Sequence, residues 1–119
     1  MKEDRPFLLH IRDALSKIAS YTAEGRDAFM EDPKTQDAVL RNLEVIGEAV
    51  KNLSETLRSA HPDVRWKQVA GLRDKLIHGY FAVDLALVWD TVEHSLPELR
   101  QQVDAILAES TNSDGSPPE

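Results

Sequence analysis

No cysteine occurs in the 119 residues. That excludes a disulfide framework, a thiol nucleophile and any zinc or iron–sulfur centre built on thiolates. It fits a reducing compartment. No long apolar run occurs either, and the charged start Met1-Lys2-Glu3-Asp4-Arg5-Pro6 leads into none. Neither a signal peptide nor a membrane span is expected, so the chain reads as soluble and cytoplasmic. Glycine-rich phosphate loops, internal repeats and strand-like alternation are missing. Ser16, Ser20, Ser54 and Ser59 stand in no nucleophile-elbow context. Histidines and carboxylates form no closely spaced ligand cluster, so no metal and no cofactor is expected. Glu44 and Glu48, one helical turn apart, read as a solvated face. A basic excess is also lacking: the net charge is −7. Such a chain cannot coat itself with nucleic acid, whose affinity rests on neutralising phosphates.

What is present is helical periodicity almost throughout. Leu8, Ile11, Leu15 and Ile18 recur every three or four residues and predict a helix from about Phe7 to Thr22. A short helix or turn follows around Gly25 to Met30. Asp32 is placed to cap the next helix, and Pro33 suits its first position. Val39, Leu43, Ile46, Val50, Leu53 and Leu57 then form a continuous seam, which predicts one helix ending at His61-Pro62. A shorter helix is expected from about Val64 to His78, with Trp66, Val69, Leu72 and Leu76 inward and Gly79 as its C-terminal cap. Asp84 can cap a last helix whose buried face is Leu85, Val88, Val92, Leu96, Leu99, Val103 and Ile106. Pro97 interrupts that run and predicts a kink near Glu93 to Leu96. The expected product is all-α: an antiparallel helical bundle of four main helices plus a short one. It should occupy residues 1–110, with 111–119 a disordered tail lacking any apolar anchor. Gly47 in mid-helix costs about 1 kcal/mol against alanine and points to a close helix approach.

One stretch carries candidate chemistry, Arg73-Asp74-Lys75-Leu76-Ile77-His78-Gly79-Tyr80. Its surroundings are locally basic. From Asp63 to Tyr80, Arg65, Lys67, Arg73 and Lys75 stand against Asp63 and Asp74, a balance of +2 before either histidine is charged. Arg73 offers a permanent planar cation suited to phosphate. His78 can give or take a proton near neutral pH. On an ideal helix the two lie about 140° apart around the axis. They can share a groove only if the helix end unwinds or a second chain supplies the missing wall. Asp74 and His78 at i and i+4 can meet on a helix, which would orient the imidazole. The simpler role for Arg73 is a salt bridge to Asp74 or Glu44, and for Tyr80 a packed ring. RNA cleavage needs a base for the 2′-hydroxyl proton, a cation for the phosphorane and an acid for the leaving oxygen. DNA lacks that hydroxyl, so the route is RNA-specific. Trp66 and Trp89 read as packing residues.

The segment GLRDKLIHGYFAVDLALVWDTVEHSLPEL, Gly71 to Leu99, closely resembles the HepT-like branch of the HEPN superfamily. So does AVLRNLEVIGEAVKNLS, Ala38 to Ser54. With the order and spacing of the helices, the resemblance covers roughly Pro6 to Leu107. The family's motif is Arg, four residues, His, any residue, Tyr, and Arg73, His78 and Tyr80 fill it. The resemblance implies a metal-independent ribonuclease toxin that cleaves RNA, tRNA included, as a homodimer with two motif copies lining an interface cleft. It implies Arg73 and His78 as catalytic residues with Asp74 supporting, while Asn42 and Arg41, in the second matching block, either support the site or tie helices together. It further implies a toxin–antitoxin partner, an MntA-like nucleotidyltransferase, that AMPylates Tyr80. The alternative is a non-catalytic HEPN dimer that only binds its nucleotidyltransferase partner or a nucleotide. The intact motif favours the enzyme. A nucleotidyltransferase identity for the chain itself has no support, since neither a Gly-Ser loop nor paired strand aspartates occur.

Overall fold

The chain's first long helix, α1 (Arg5–Tyr21), buries Leu8, Ile11, Ala14, Leu15 and Ile18, the stripe its spacing predicts. Pro6 sits at its start, where an amide proton has no helical acceptor anyway. A computed structural model describes residues 3–78 and 82–115. A short helix, α2 (Arg26–Glu31), begins at Gly25, whose φ of 99° and ψ of −177° suit glycine almost alone. Helix α3 (Pro33–Lys51) starts where expected. The Asp32 carboxylate accepts from the Lys34 backbone N–H at 3.1 Å and from the Thr35 hydroxyl at 2.7 Å. The Thr35 bond holds this carboxyl below its ordinary value of 3.8, so the cap is charged at neutral pH and lost only in stronger acid.

Helices α1 and α3 run antiparallel and form the largest helix–helix contact of the bundle. Asp4, just before α1, reaches Ser54, just past α3. Its Oδ1 accepts from the Ser54 N–H at 2.7 Å and its Oδ2 from the Ser54 hydroxyl at 2.6 Å. Asp4 is almost completely buried.

The single helix expected as far as His61 is in fact two. Asn52 donates back to the Glu48 carbonyl at 2.9 Å. Ser54 then leaves the helical region and caps α4 (Glu55–Ala60), accepting from the Leu57 N–H at 3.1 Å. Asn and Ser side chains compete with the helix ladder in this way. Leu53 and Leu57 remain buried on either side of the break, so the apolar seam continues although the helix does not.

The helix expected from Val64 to His78 is also divided. Helix α5 (Trp66–Ala70) stops at Gly71, and α6 (Leu72–Leu76) stops two residues before His78. Ile77 and His78 form a short strand, β1 (Ile77–His78), paired antiparallel with β2 (Ala82–Val83) in the register Ile77 to Val83 and His78 to Ala82. The Asp84 N–H donates to the Leu76 carbonyl at 3.0 Å, which takes an acceptor that a continuing helix would have used. Gly79, expected as a cap, lies outside the described residues, and α6 has ended before it.

Asp84 caps α7 (Leu85–Asp90) as expected, accepting from the Leu87 N–H at 3.0 Å. A π-helical turn, Thr91–Ser95, joins α7 to α8 (Leu96–Gly115), at the place where Pro97 predicts a kink. The core is one cluster drawn from α1, α3 and α8, with Phe29, Leu57, Val64, Trp66, Leu76 and Val88 from the shorter elements. No helix among the described residues is long and apolar enough to cross a membrane. The chain is all-α in class, the two-residue ladder aside.

Two positions hold this arrangement most tightly. A methyl group on Gly47 of α3 would meet the Ala70 carbonyl oxygen, at the end of α5, at 2.9 Å. Gly47→Ala therefore destabilises despite alanine's better helix propensity. The expected net loss is about 1–3 kcal/mol, read as a lower urea midpoint in chemical denaturation. Asp4→Ala leaves the part-buried Ser54 donors without their partner and is expected to cost about 1–3 kcal/mol in the same measurement. An unchanged midpoint for either would show that the contact does not constrain the fold.

Candidate active site

The site begins with the placement of α6 against α3. Arg73 is the second residue of α6, and its side chain turns towards α3. Its Nε lies 2.6 Å from Oε2 of Glu44, and its Nη1 lies 3.9 Å from Oδ1 of Asp74. Both salt-bridge readings of the sequence are therefore present, the Glu44 contact close and the Asp74 contact loose. Glu44 also has Arg41 Nη1 at 4.0 Å from its other oxygen. The Arg73 and Glu44 side chains are 47% and 40% exposed. An ion pair this open contributes on the order of 0–1 kcal/mol to stability. Its larger effect is geometric, since a short charge-assisted bond at Nε fixes the plane of the guanidinium. Among the described residues, Nη1 and Nη2 have no closer ion-pair partner than Asp74, so the terminal edge faces no committed anion.

His78 is the other half of the pair. Its backbone is on β1 and not on a helix. The helical stagger of about 140° from Arg73 therefore does not apply, nor does the i, i+4 spacing from Asp74. The helix unwinds, as one of the two sequence alternatives required, but at Leu76, ahead of Gly79. The first partner of His78 in the ladder is Ala82, which ties the backbone of residue 78 to the segment leading into α7. Tyr80 lies outside the described residues.

Asn42 is placed differently from the rest. It is 8% exposed on the buried side of α3, and its amide nitrogen donates to the Ala38 carbonyl at 2.9 Å. That bond lies within its own helix. A groove of about 330 Å³ runs beside this site between α1 and α3, with Arg41, Glu44 and Glu48 on one wall and Phe7 and His10 on the other. A second, of about 430 Å³, lies between α5–α6 and the α7–α8 segment and includes Arg65 and Lys75. Lys75, two residues from Arg73, thus lines a different face of α6. No group of three or more candidate metal ligands occurs among the described residues.

The remaining candidates have ordinary partners. Trp66 is buried, and its indole nitrogen donates to the His61 carbonyl at 3.0 Å. Trp89 packs against Phe29 with ring centroids 5.5 Å apart. His61 Nε2 lies 3.6 Å from Glu109, and His94 Nδ1 lies 3.0 Å from Asp90. The residue that sequence reasoning undervalued is Glu44, read as half of a solvated acidic face and as a bridging partner. Only the packing of α6 on α3 shows which of those it is.

Comparison with known proteins gives the family. The family model described as Ribonuclease HepT-like matches residues 11–106. A candidate RNase of Caldanaerobacter subterraneus subsp. tengcongensis is 44% identical over 108 residues, spanning 90% of this chain and 96% of that protein. A candidate RNase of Methanocaldococcus jannaschii is 42% identical over 114 residues, spanning 95% and 94%. The probable ribonuclease HepT of Thermococcus cleftensis is 41% identical over 100 residues, spanning 83% and 91%. No solved structure matches significantly. The matched span opens at Ile11, buried in α1, and closes at Ile106, buried in α8, so it takes in nearly the whole bundle. The chain belongs to the HepT-like ribonuclease family of the HEPN superfamily.

Proposed function

We propose that this protein is an endoribonuclease that cleaves RNA without a metal ion, with Arg73 and His78 as its catalytic residues. The observation that carries the reading is Arg73. Its guanidinium is half-exposed, held by one nitrogen, and has a terminal edge open to a phosphate, five residues ahead of a histidine that has left the helix. In the reaction, His78 accepts the 2′-hydroxyl proton and O2′ attacks the adjacent phosphorus. Arg73 stabilises the charge on the phosphorane. The protonated His78 returns a proton to the departing 5′-oxygen, giving a 2′,3′-cyclic phosphate on one fragment and a 5′-hydroxyl on the other. Asp74 supports Arg73 electrostatically, while Asn42 acts through the packing of α3.

The working unit in this reading is a homodimer, with two copies of the Arg73–His78 segment facing across one cleft. With an overall charge of −7, RNA binds in the locally basic cleft. We assign the protein to a toxin–antitoxin pair, with tRNA within its substrate class. Its antitoxin is an MntA-like nucleotidyltransferase that AMPylates Tyr80. An AMP group there would place a bulky anion within two residues of His78 and compete for Arg73.

His78→Ala is expected to lower the rate of cleavage of a mixed tRNA substrate by about 10²–10⁴-fold, with a cooperative unfolding transition retained. Equal cleavage by wild type and variant would remove His78 from the chemistry and favour the non-catalytic dimer. Co-expression with the partner nucleotidyltransferase should add one AMP to the chain, placed on Tyr80 by tandem mass spectrometry. Adduct on any other residue would overturn the Tyr80 assignment.

A further inference from the structure

The Glu44 carboxylate is the only close anion on Arg73 among the described residues, and it comes from a different helix. Resting on the ribonuclease reading, we propose that Glu44 is a positioning residue for Arg73. It grips the guanidinium at Nε and thereby presents Nη1 and Nη2 to the scissile phosphate. Three features support this. The contact is short, 2.6 Å, and is made at Nε, which leaves the Nη1–Nη2 edge for an end-on grip on a phosphate. It spans α3 and α6, so it ties the reactive segment to the most heavily packed helix pair of the bundle. The pair is too exposed to be explained by fold stability. Arg41, 4.0 Å from the other carboxylate oxygen and 75% exposed, balances Glu44 from outside and keeps it from acting as a simple repellent of RNA.

A carboxylate that orients a catalytic cation has a kinetic signature distinct from that of a substrate contact. It lies beside the path of an anionic substrate, so its removal should not weaken ground-state binding. Misorientation of Arg73 should fall on kcat instead. For Glu44→Gln the expected result is a kcat lower by about 10- to 100-fold with KM unchanged or lower. Arg73→Ala should raise KM while lowering kcat. Glu44→Asp, whose carboxylate sits one methylene further back, should lie between wild type and Glu44→Gln. Thermal unfolding of the Glu44 variants should stay close to wild type.

The brace itself can be read without activity. In 15N-labelled protein, the Arg73 Nε–H resonance, assigned by its loss in Arg73→Lys, should exchange slowly with water in wild type and rapidly in Glu44→Gln. An active wild type whose Glu44→Gln variant keeps its kcat, or gains in it, would overturn the positioning role and leave the ribonuclease reading standing. A wild type that shows the slow Nε–H yet cleaves no RNA would overturn the ribonuclease reading, and the role of Glu44 with it. Rapid exchange in wild type would show that Glu44 does not hold Arg73 and would overturn the proposal directly.

Discussion

Helix α3 meets the end of α5 so closely at Gly47 that no side chain fits between them; the Ala70 carbonyl oxygen stands where a β-carbon would be. The placement of the reactive segment follows from that contact. It brings the backbone of α5 down onto α3, and Gly71 then redirects the chain into α6. Arg73, on α6, lands within reach of Glu44, which is three residues before Gly47 on α3. A bulkier residue at position 47 would lift α5 and draw α6 away with it. The ion pair is thus a consequence of a backbone contact made one helical turn away.

The sequence showed some of this directly and hid the rest for identifiable reasons. Helix α1 was legible because its apolar spacing is regular and nothing interrupts it. The start of α3 was legible because Asp32 and Pro33 act locally, within a few residues of the cap they form. The break at Ser54 was hidden, because Val50, Leu53 and Leu57 keep a helical spacing across it. What breaks the helix there is joined to Asp4, fifty positions earlier, and no window of sequence contains both. The end of α6 was hidden in the same way, since Ile77 and His78 are held by pairing with Ala82 and Val83. For the site, the residue types were visible and their relation was not. The stagger expected between Arg73 and His78 does not arise, because residue 78 is on a strand and not on the helix that carries Arg73.

The acidic composition and the proposed RNA chemistry are compatible at the scale of single side chains. Some carboxylates pair locally on exposed helix faces, as Asp13 does with Lys17 and Asp104 with Arg100. Glu44 is the exception that matters, an acid directed at the cation on which catalysis would depend. Charge near the site is therefore organised by which helix carries it, and the net value of −7 says little about the cleft.

The π-helical turn at Thr91–Ser95 has one more consequence. Buried positions on this last stretch fall at Val88, Thr91, Leu96, Leu99 and Val103, with a step of five between Thr91 and Leu96. A regular helix would leave Leu96 about 80° out of line with Val88. The extra residue taken up in the turn restores the alignment, so α7 and α8 can each face the core with their own phase. Asp84, which caps α7, also closes the end of α6 through its bond to the Leu76 carbonyl. The rotational setting of α7 is therefore passed back to the strand that carries His78. Losing one residue from the turn would rotate one helix by about 100° against the other, and the backbone of the strand paired ahead of α7 would shift with a change made well away from it.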